Sequence, residues 1–253
     1  MQFVSFTVAG PMYFIVHLLT SPVKTGKPEA LAIRSNDANA LFISALLGFG
    51  IPSILMILPT PGLISDVNHY MWVAIWQVFP LVQSVFQWVL KHTLFRTSSS
   101  PRASRGPLAI SSLYKFVMAI CVVSHTGLMA IALTPETAVP SGWAPWWSAL
   151  LREVTVDSAF VPTSLLNPPS LVSSNSLVPL VMHFLRWDVY TGGVAILVWA
   201  SYLYSASGAK KSVFAKAVFW FLLGDSPAAA AFLLWTRDEA LLGREAEKAK
   251  KIR

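Results

Sequence analysis

Apolar residues along this chain arrive in blocks, separated by short connections rich in proline, serine, lysine and arginine. Spanning the hydrocarbon core of a bilayer takes roughly 20 apolar residues in a helix, and several blocks reach that length. The pattern predicts spans over Phe3–Thr20, Ala38–Leu58, Tyr70–Leu90, Leu108–Leu133, Ser176–Tyr204 and Val213–Trp235. Trp143–Phe160 is ambiguous: its tryptophans fit an interfacial belt, and Arg152-Glu153 fits a membrane-buried pair. Counting it gives seven spans, omitting it six. The expected fold is therefore all-α, a polytopic transmembrane helix bundle forming one domain over 1–236, with a charged tail over 237–253.

Proline and glycine mark where these helices break. Pro11 kinks the first span, and Gly48, Gly50 and Pro52 interrupt the second. Such breaks survive in a membrane where neighbouring helices or a water-lined cavity satisfy the freed backbone groups. In the last block, Gly224-Asp225-Ser226-Pro227 reads as a stop, an N-cap and a proline opening a new helix. The first block lacks the charged start and small-residue cleavage site of a secretory signal, so it is read as a retained span.

Composition agrees. Of 253 residues 55% are hydrophobic and 12% charged, against about 25% charged in soluble domains. The formal charge of +7 sits largely in the connections, which bears on topology and lipid headgroups rather than nucleic acid. Basic loops after the first and third spans place those loops in the cytoplasm. Beyond Thr134 the rule conflicts with itself, because Lys210-Lys211 and the tail fall on opposite sides in either count. Cys121 is the only cysteine and excludes an intrachain disulfide; it is read as a small apolar residue.

Against this background, Asp188 stands out. A carboxylate near the middle of an apolar span costs about 2.5–3.5 kcal/mol on insertion scales, so it is functional by default when it faces a cavity or partner. Two roles fit: a proton donor in an aromatic-lined pocket, or an anchor to Arg186 or a neighbouring helix. On an ideal helix His183, Trp187 and Tyr190 share a face, and Asp188 lies at its edge beside Phe184 and Thr191. Gly192-Gly193 would admit close approach of another helix or a ligand. In the third block Trp76, Pro80, Gln83 and Gln87 make one stripe on a continuous helix, and Gln77, Ser84 and Trp88 the adjoining one. Gln83 and Gln87 are read as interhelical hydrogen-bonding residues, and Gln77 fits that role or pocket lining. Lys115 sits near a span end, where it can snorkel. His125 is read as a packing residue.

What is missing narrows the chemistry. There is no nucleotide-binding glycine loop, no Gly-x-Ser-x-Gly and no His-Glu-x-x-His. Neither a histidine cluster nor Asp-Asp-x-x-Asp is present, so no metal or other cofactor is expected. Isolated acids among aromatics suit acid chemistry on an apolar substrate. A carboxyl shielded from water can keep its proton and donate it, and aromatic faces stabilise a developing cation.

Three motifs carry a family resemblance: Trp76-Gln77-x-Phe79-Pro80, His183-Phe184-Leu185-x-Trp187-Asp188, and Leu233-Leu234-Trp235-x-Arg237-Asp238-Glu239. Together they resemble the integral-membrane terpene cyclases of fungal meroterpenoid biosynthesis, in the branch of ascochlorin/ascofuranone- and macrophorin-type pathways. The resemblance runs from Asn39 onward and is weakest over Thr134–Asn175, which leaves Glu153 and Asp157 open as partners or second acids. It implies a metal-independent, acid-initiated isomerase of secondary metabolism, of the class II type. The substrate would be a prenylated, farnesyl-type aromatic protonated at a terminal epoxide or alkene. Asp188 becomes the acid, with Trp76, Gln77, His183 and Trp187 in the pocket. Phe79, Phe184 and Trp235 from the same motifs, and Tyr190 and Thr191 beside Asp188, complete the expected substrate-binding set. The setting would be a multi-pass monomer in the endoplasmic reticulum bilayer. A proton-coupled carrier using Asp188 is the competing reading, although such folds usually carry an internal repeat and none is visible.

Overall fold

The computed structural model describes residues 6–21, 35–96, 107–138, 151–152, 154–162, 164, 166, 178–208 and 213–251, and every longer element among them is helical. In chain order these are α1 (Phe6–Thr20), α2 (Ser35–Ala45), α3 (Ile51–Ile57), α4 (Asp66–Gln77) and α5 (Phe79–His92). After them come α6 (Pro107–Leu133), α7 (Val156–Phe160), α8 (Val178–Ala206) and α9 (Val213–Lys251). Among the described residues four stretches are long and apolar enough to cross a membrane, Asn36–Ile57, Ile110–Leu133, Leu180–Ala206 and Val213–Arg244, the last of them broken at Gly224-Asp225. A fifth is available if α4 and α5 count as one broken span. With 15 residues, α1 is about 22 Å long, short of a roughly 30 Å hydrocarbon core. Of the ambiguous Trp143–Phe160 segment, residues 143–150 and Glu153 lie outside the described residues. Large apolar side chains such as Val181, Leu185, Val194 and Val198 stay exposed along α8, as expected of a surface solvated by lipid.

The chain divides into two compact units, one comprising Phe3–Lys27 and Phe116–Arg253, the other Pro28–Lys115. In the second unit, α2 passes through a π-helical turn, Leu46–Gly50, into α3 without leaving the helical region. Gly48 lies in that turn because α5 crosses it: a Cβ there would meet the Gln83 Cα at 2.6 Å. Ser65 caps α4, its hydroxyl accepting from the Asn68 N–H at 3.3 Å.

The third block departs from expectation. The predicted continuous helix over Tyr70–Leu90 breaks at Val78 (φ −107°, ψ 17°), and α4 and α5 meet at 73°. The cause is Pro80, which has no N–H to donate and therefore sits in the first turn of a new helix. Trp76 and Gln77 thus end one helix while Pro80, Gln83 and Gln87 belong to the next, so the predicted stripes do not exist as single faces. Gln83 meets the neighbouring helix through its backbone at Gly48.

In the first unit α8 is the axis. α1 runs beside it in the same direction: Thr7 bonds to Asp188, Phe14 stacks on Trp199 at 4.9 Å, and the Trp199 indole donates to His17 Nδ1 at 3.3 Å. α9 is not one straight helix. At Gly224 (φ −144°, ψ 20°) and Asp225 (φ 61°, ψ −171°) the backbone leaves the helical region. Trp220 and Phe232 then stack at 6.1 Å, whereas twelve positions along a straight helix would separate them by about 18 Å. Ala217 and Ala230 share one buried cluster with Leu233, Ala200 and Tyr204. Farther on, Arg244 Nη1 donates to the Ser207 carbonyl at 3.1 Å, back at the end of α8. The last apolar block is therefore a helical hairpin, with arms 213–223 and 226–251, the second packed along the second half of α8 as far as Arg244. This corrects the expected single traverse over Val213–Trp235.

The turn of this hairpin lies at mid-length of α8. A Cβ on Gly193 would come within 2.5 Å of Ser226 Oγ, and one on Gly224 within 3.1 Å of the Val122 backbone nitrogen of α6. The two glycines admit these approaches. Asp225 holds torsions otherwise nearly restricted to glycine, at a cost of order 1–3 kcal/mol. The returning arm continues through Arg237 and Asp238, which are 2% and 4% exposed and paired at 3.1 Å.

Candidate active site

Asp188 lies about a third of the way along the 29-residue α8. One of its oxygens, Oδ1, accepts both the backbone N–H and the hydroxyl of Thr7, each at 2.6 Å. Thr7 is in the first turn of α1, where backbone donors have no partner within the helix. The carboxyl group therefore caps a neighbouring helix from the side, and the two donors fix its orientation. Thr191, one turn on, returns its hydroxyl to the Trp187 carbonyl at 2.7 Å.

Around α8 from Asp188 lies the aromatic face. Trp187 and Tyr190 meet edge to face with centroids 6.3 Å apart. The Tyr190 hydroxyl donates to the Phe160 carbonyl at the end of α7, and the Phe160 ring meets His125 of α6 at 5.4 Å. Phe184 turns outward and is 54% exposed, while His183 and Arg186 are half-buried. α7 exists locally because Thr155 and Ser158 form a reciprocal capping box at its start. Asp157 is exposed in its first turn.

The remaining expected site residues belong to other elements. The Trp235 indole donates to Glu239 at 2.7 Å, just beyond Leu233, whose neighbours Ala200 and Tyr204 are about three to four turns along α8 from Asp188. Trp76, Gln77 and Phe79 belong to the second unit. There the Trp76 indole donates to Ser53 Oγ at 3.0 Å and its ring lies 5.8 Å from Phe79, which in turn meets Phe49 at 5.0 Å. Gln77 is exposed at the end of α4. Among the described residues no group of three His, Cys, Asp or Glu side chains is arranged to hold a metal ion.

Two features of the site escaped the sequence. Thr7 carries no local signal, being one threonine near the start of an apolar run. Phe160 acts through its carbonyl, which no side-chain pattern reveals.

Comparison with known proteins places the chain. A family model described as the CtvD domain matches residues 1–242. The terpene cyclase ascI of Acremonium egyptiacum is 25% identical over 258 residues, covering 98% of this chain and 63% of the relative. The terpene cyclase ctvD of Aspergillus terreus is 25% identical over 206 residues, covering 80% and 53%. The terpene cyclase penA of Penicillium crustosum is 28% identical over 180 residues, covering 71% and 45%. The chain thus spans less than two thirds of the length of each of these relatives. No solved structure matches it. Since the family match takes in every helix described here but the last turns of α9, the chain belongs to the CtvD-domain family.

Proposed function

We propose that this chain is a membrane-embedded terpene cyclase of the class II type, acting on a farnesyl-type prenylated aromatic in the endoplasmic reticulum. The observation that carries the reading is the Asp188 carboxyl, set in an apolar helix with one oxygen held by two donors from Thr7. The relatives' names, all terpene cyclases, point the same way.

In this reading the Asp188 carboxyl gives its proton to the terminal epoxide oxygen, or to a terminal alkene carbon. For an epoxide, the C–O bond breaks as the electron pair of the nearest alkene forms the first ring bond. The positive charge moves along the polyene as further rings close. Thr7 keeps both its donors on the carboxylate left behind, an arrangement akin to an oxyanion hole. Trp187 and Tyr190 present aromatic faces to the cation, each worth about 2 kcal/mol when desolvated. His183, Phe184, Thr191 and Trp235 complete the proposed substrate-binding set of this unit, and Trp76, Gln77 and Phe79 stay candidates on the second unit by themselves.

The test is mass spectrometry of microsomes expressing the chain, supplied with farnesylated phenols and their terminal epoxides. A product of the same mass as its substrate but different retention is expected from at least one of them. Return of every substrate unconverted would overturn the proposal.

A further inference from the structure

A cyclisation begun by an acid must end by losing a proton. Asp188 accounts for the first step only, and the hairpin turn of α9 holds a second carboxylate. Asp225 lies between two apolar helical arms, at the level of Gly193 in mid-α8. Non-helical backbone at such depth is tolerated where it is buried in protein or lines a cavity. The contacts around it close a circuit within the first unit. Ser226 abuts Gly193, and Tyr190, one turn before Gly193, reaches the Phe160 carbonyl. Phe160 meets His125 of α6, and Val122, about one turn before His125, abuts Gly224. Asp225 is thus tied through these contacts to the stretch of α8 that carries Tyr190.

Its surroundings suit an anion. The arm beginning at Ser226 directs the positive end of its dipole at Asp225, and the Ser226 N–H donates to Oδ1 at 2.6 Å. Pro227 follows and has no N–H, which leaves the third residue of the helix as the ordinary capping donor. A helix start alone would be served by serine or asparagine, and a turn with these torsions by glycine. Aspartate is needed for neither.

We infer that Asp225 is the proton acceptor that ends the cyclisation. This rests on the cyclase reading of the preceding section. Its carboxylate takes a proton from a carbon adjacent to the final cationic centre, and the C–H electron pair becomes the new alkene. The proton gained at Asp225 balances the one given by Asp188, so the overall reaction is an isomerisation needing no co-reactant.

The test compares wild type, Asp188→Asn, Asp225→Asn and Asp225→Gly in microsomes, with a farnesylated phenol epoxide as probe. Substrate consumption, product masses and thermal stability in detergent are read together. Glycine adopts the Asp225 torsions without strain, so Asp225→Gly should fold at least as stably as wild type while lacking the base. Both Asp225 variants should still consume substrate, whereas Asp188→Asn should not. Their yield of the wild-type product per substrate consumed should fall by roughly 10²-fold or more, with alkene isomers and products one water heavier appearing instead. The wild-type product at the wild-type rate from both variants would reduce Asp225 to a turn residue and overturn the inference. Loss of consumption as complete as in Asp188→Asn, from a stable Asp225→Gly protein, would overturn it too, by placing Asp225 in initiation. A wild-type chain inactive on every substrate defeats the cyclase reading itself, and the base role with it.

Discussion

Thr7 and Asp188, 181 positions apart in sequence, are joined by two hydrogen bonds converging on a single carboxylate oxygen. Asparagine at 188 would keep both, because a carboxamide oxygen accepts from the same two donors, but it has no acidic proton. Asp188→Asn should therefore fold and insert normally while losing about 10²–10⁴-fold in cyclisation rate, the usual contribution of general acid catalysis. Near-normal turnover per folded molecule would remove Asp188 from the chemistry and leave it as an anchor between α1 and α8.

Thr7 can be tested separately. Valine removes the hydroxyl but keeps the shape and the backbone donor, whereas serine keeps both donors. A hydrogen bond to a charged group is worth about 1.5–3 kcal/mol, so Thr7→Val should slow turnover by roughly tenfold or more, and Thr7→Ser much less. If the pair only joins helices, Thr7→Val will lower thermal stability in detergent with no change in the rate per folded molecule.

Glycine contacts set a gradient of stability. A Cβ on Gly48 would strike backbone atoms of Gln83 at 2.6 and 2.8 Å, which cannot move aside without shifting α5. Gly127 has nothing within 4 Å of that position. Gly48→Ala should thus destabilise by about 1–3 kcal/mol through overpacking. Gly127→Ala should be neutral or gain up to about 1 kcal/mol from helix propensity. Thermal denaturation of the two variants in one detergent checks the order.

These contacts also show what the sequence could and could not reveal. Helix positions were legible because apolar blocks of membrane length have few other uses. The break at Gly224-Asp225-Ser226-Pro227 was legible from its residue types. Its sense was not: only the Asp225 torsions turn an interrupted span into a hairpin, and hydropathy is blind to torsions. Pro80 was read as part of a stripe, yet its missing N–H ends one helix and begins another, which separated Trp76 from Gln83. Asp188 was conspicuous because charge in an apolar run is costly. Thr7 was not, because its role comes from a contact formed only when α1 lies along α8.

Metal dependence separates two mechanisms. Acid-initiated cyclisation needs no divalent cation, whereas ionisation of a diphosphate ordinarily does. Activity in detergent micelles should therefore survive EDTA. Loss on chelation with recovery on adding magnesium would move the chain to the other class. Persistence in micelles would also argue against a carrier, whose work requires a sealed compartment and a gradient.

The two tryptophans stand in different settings, and that of Trp76 includes a hydrogen bond from its indole N–H to Ser53 at 3.0 Å. Ser53 itself donates to the Phe49 carbonyl at 2.7 Å, beside the π-helical turn that seats α5. Removing the Trp76 N–H therefore disturbs the packing of the second unit whatever follows it. Trp76→Phe should lower thermal stability, by about 0.5–1.5 kcal/mol for one neutral hydrogen bond. Trp187, edge to face with Tyr190 on the Asp188 helix, should act through its π-face. Phenylalanine there weakens cation stabilisation and leucine abolishes it, so product yield should fall in the order Trp, Phe, Leu. Loss of a desolvated cation–π contact of about 2 kcal/mol corresponds to roughly thirtyfold in rate. Partly cyclised products should rise along the same series, since a less stabilised cation is quenched earlier. Unchanged product at an unchanged specific rate from Trp187→Leu would make Trp187 a packing residue. Cation stabilisation would then fall to Tyr190 and Phe160, the aromatics joined to the Asp225 turn.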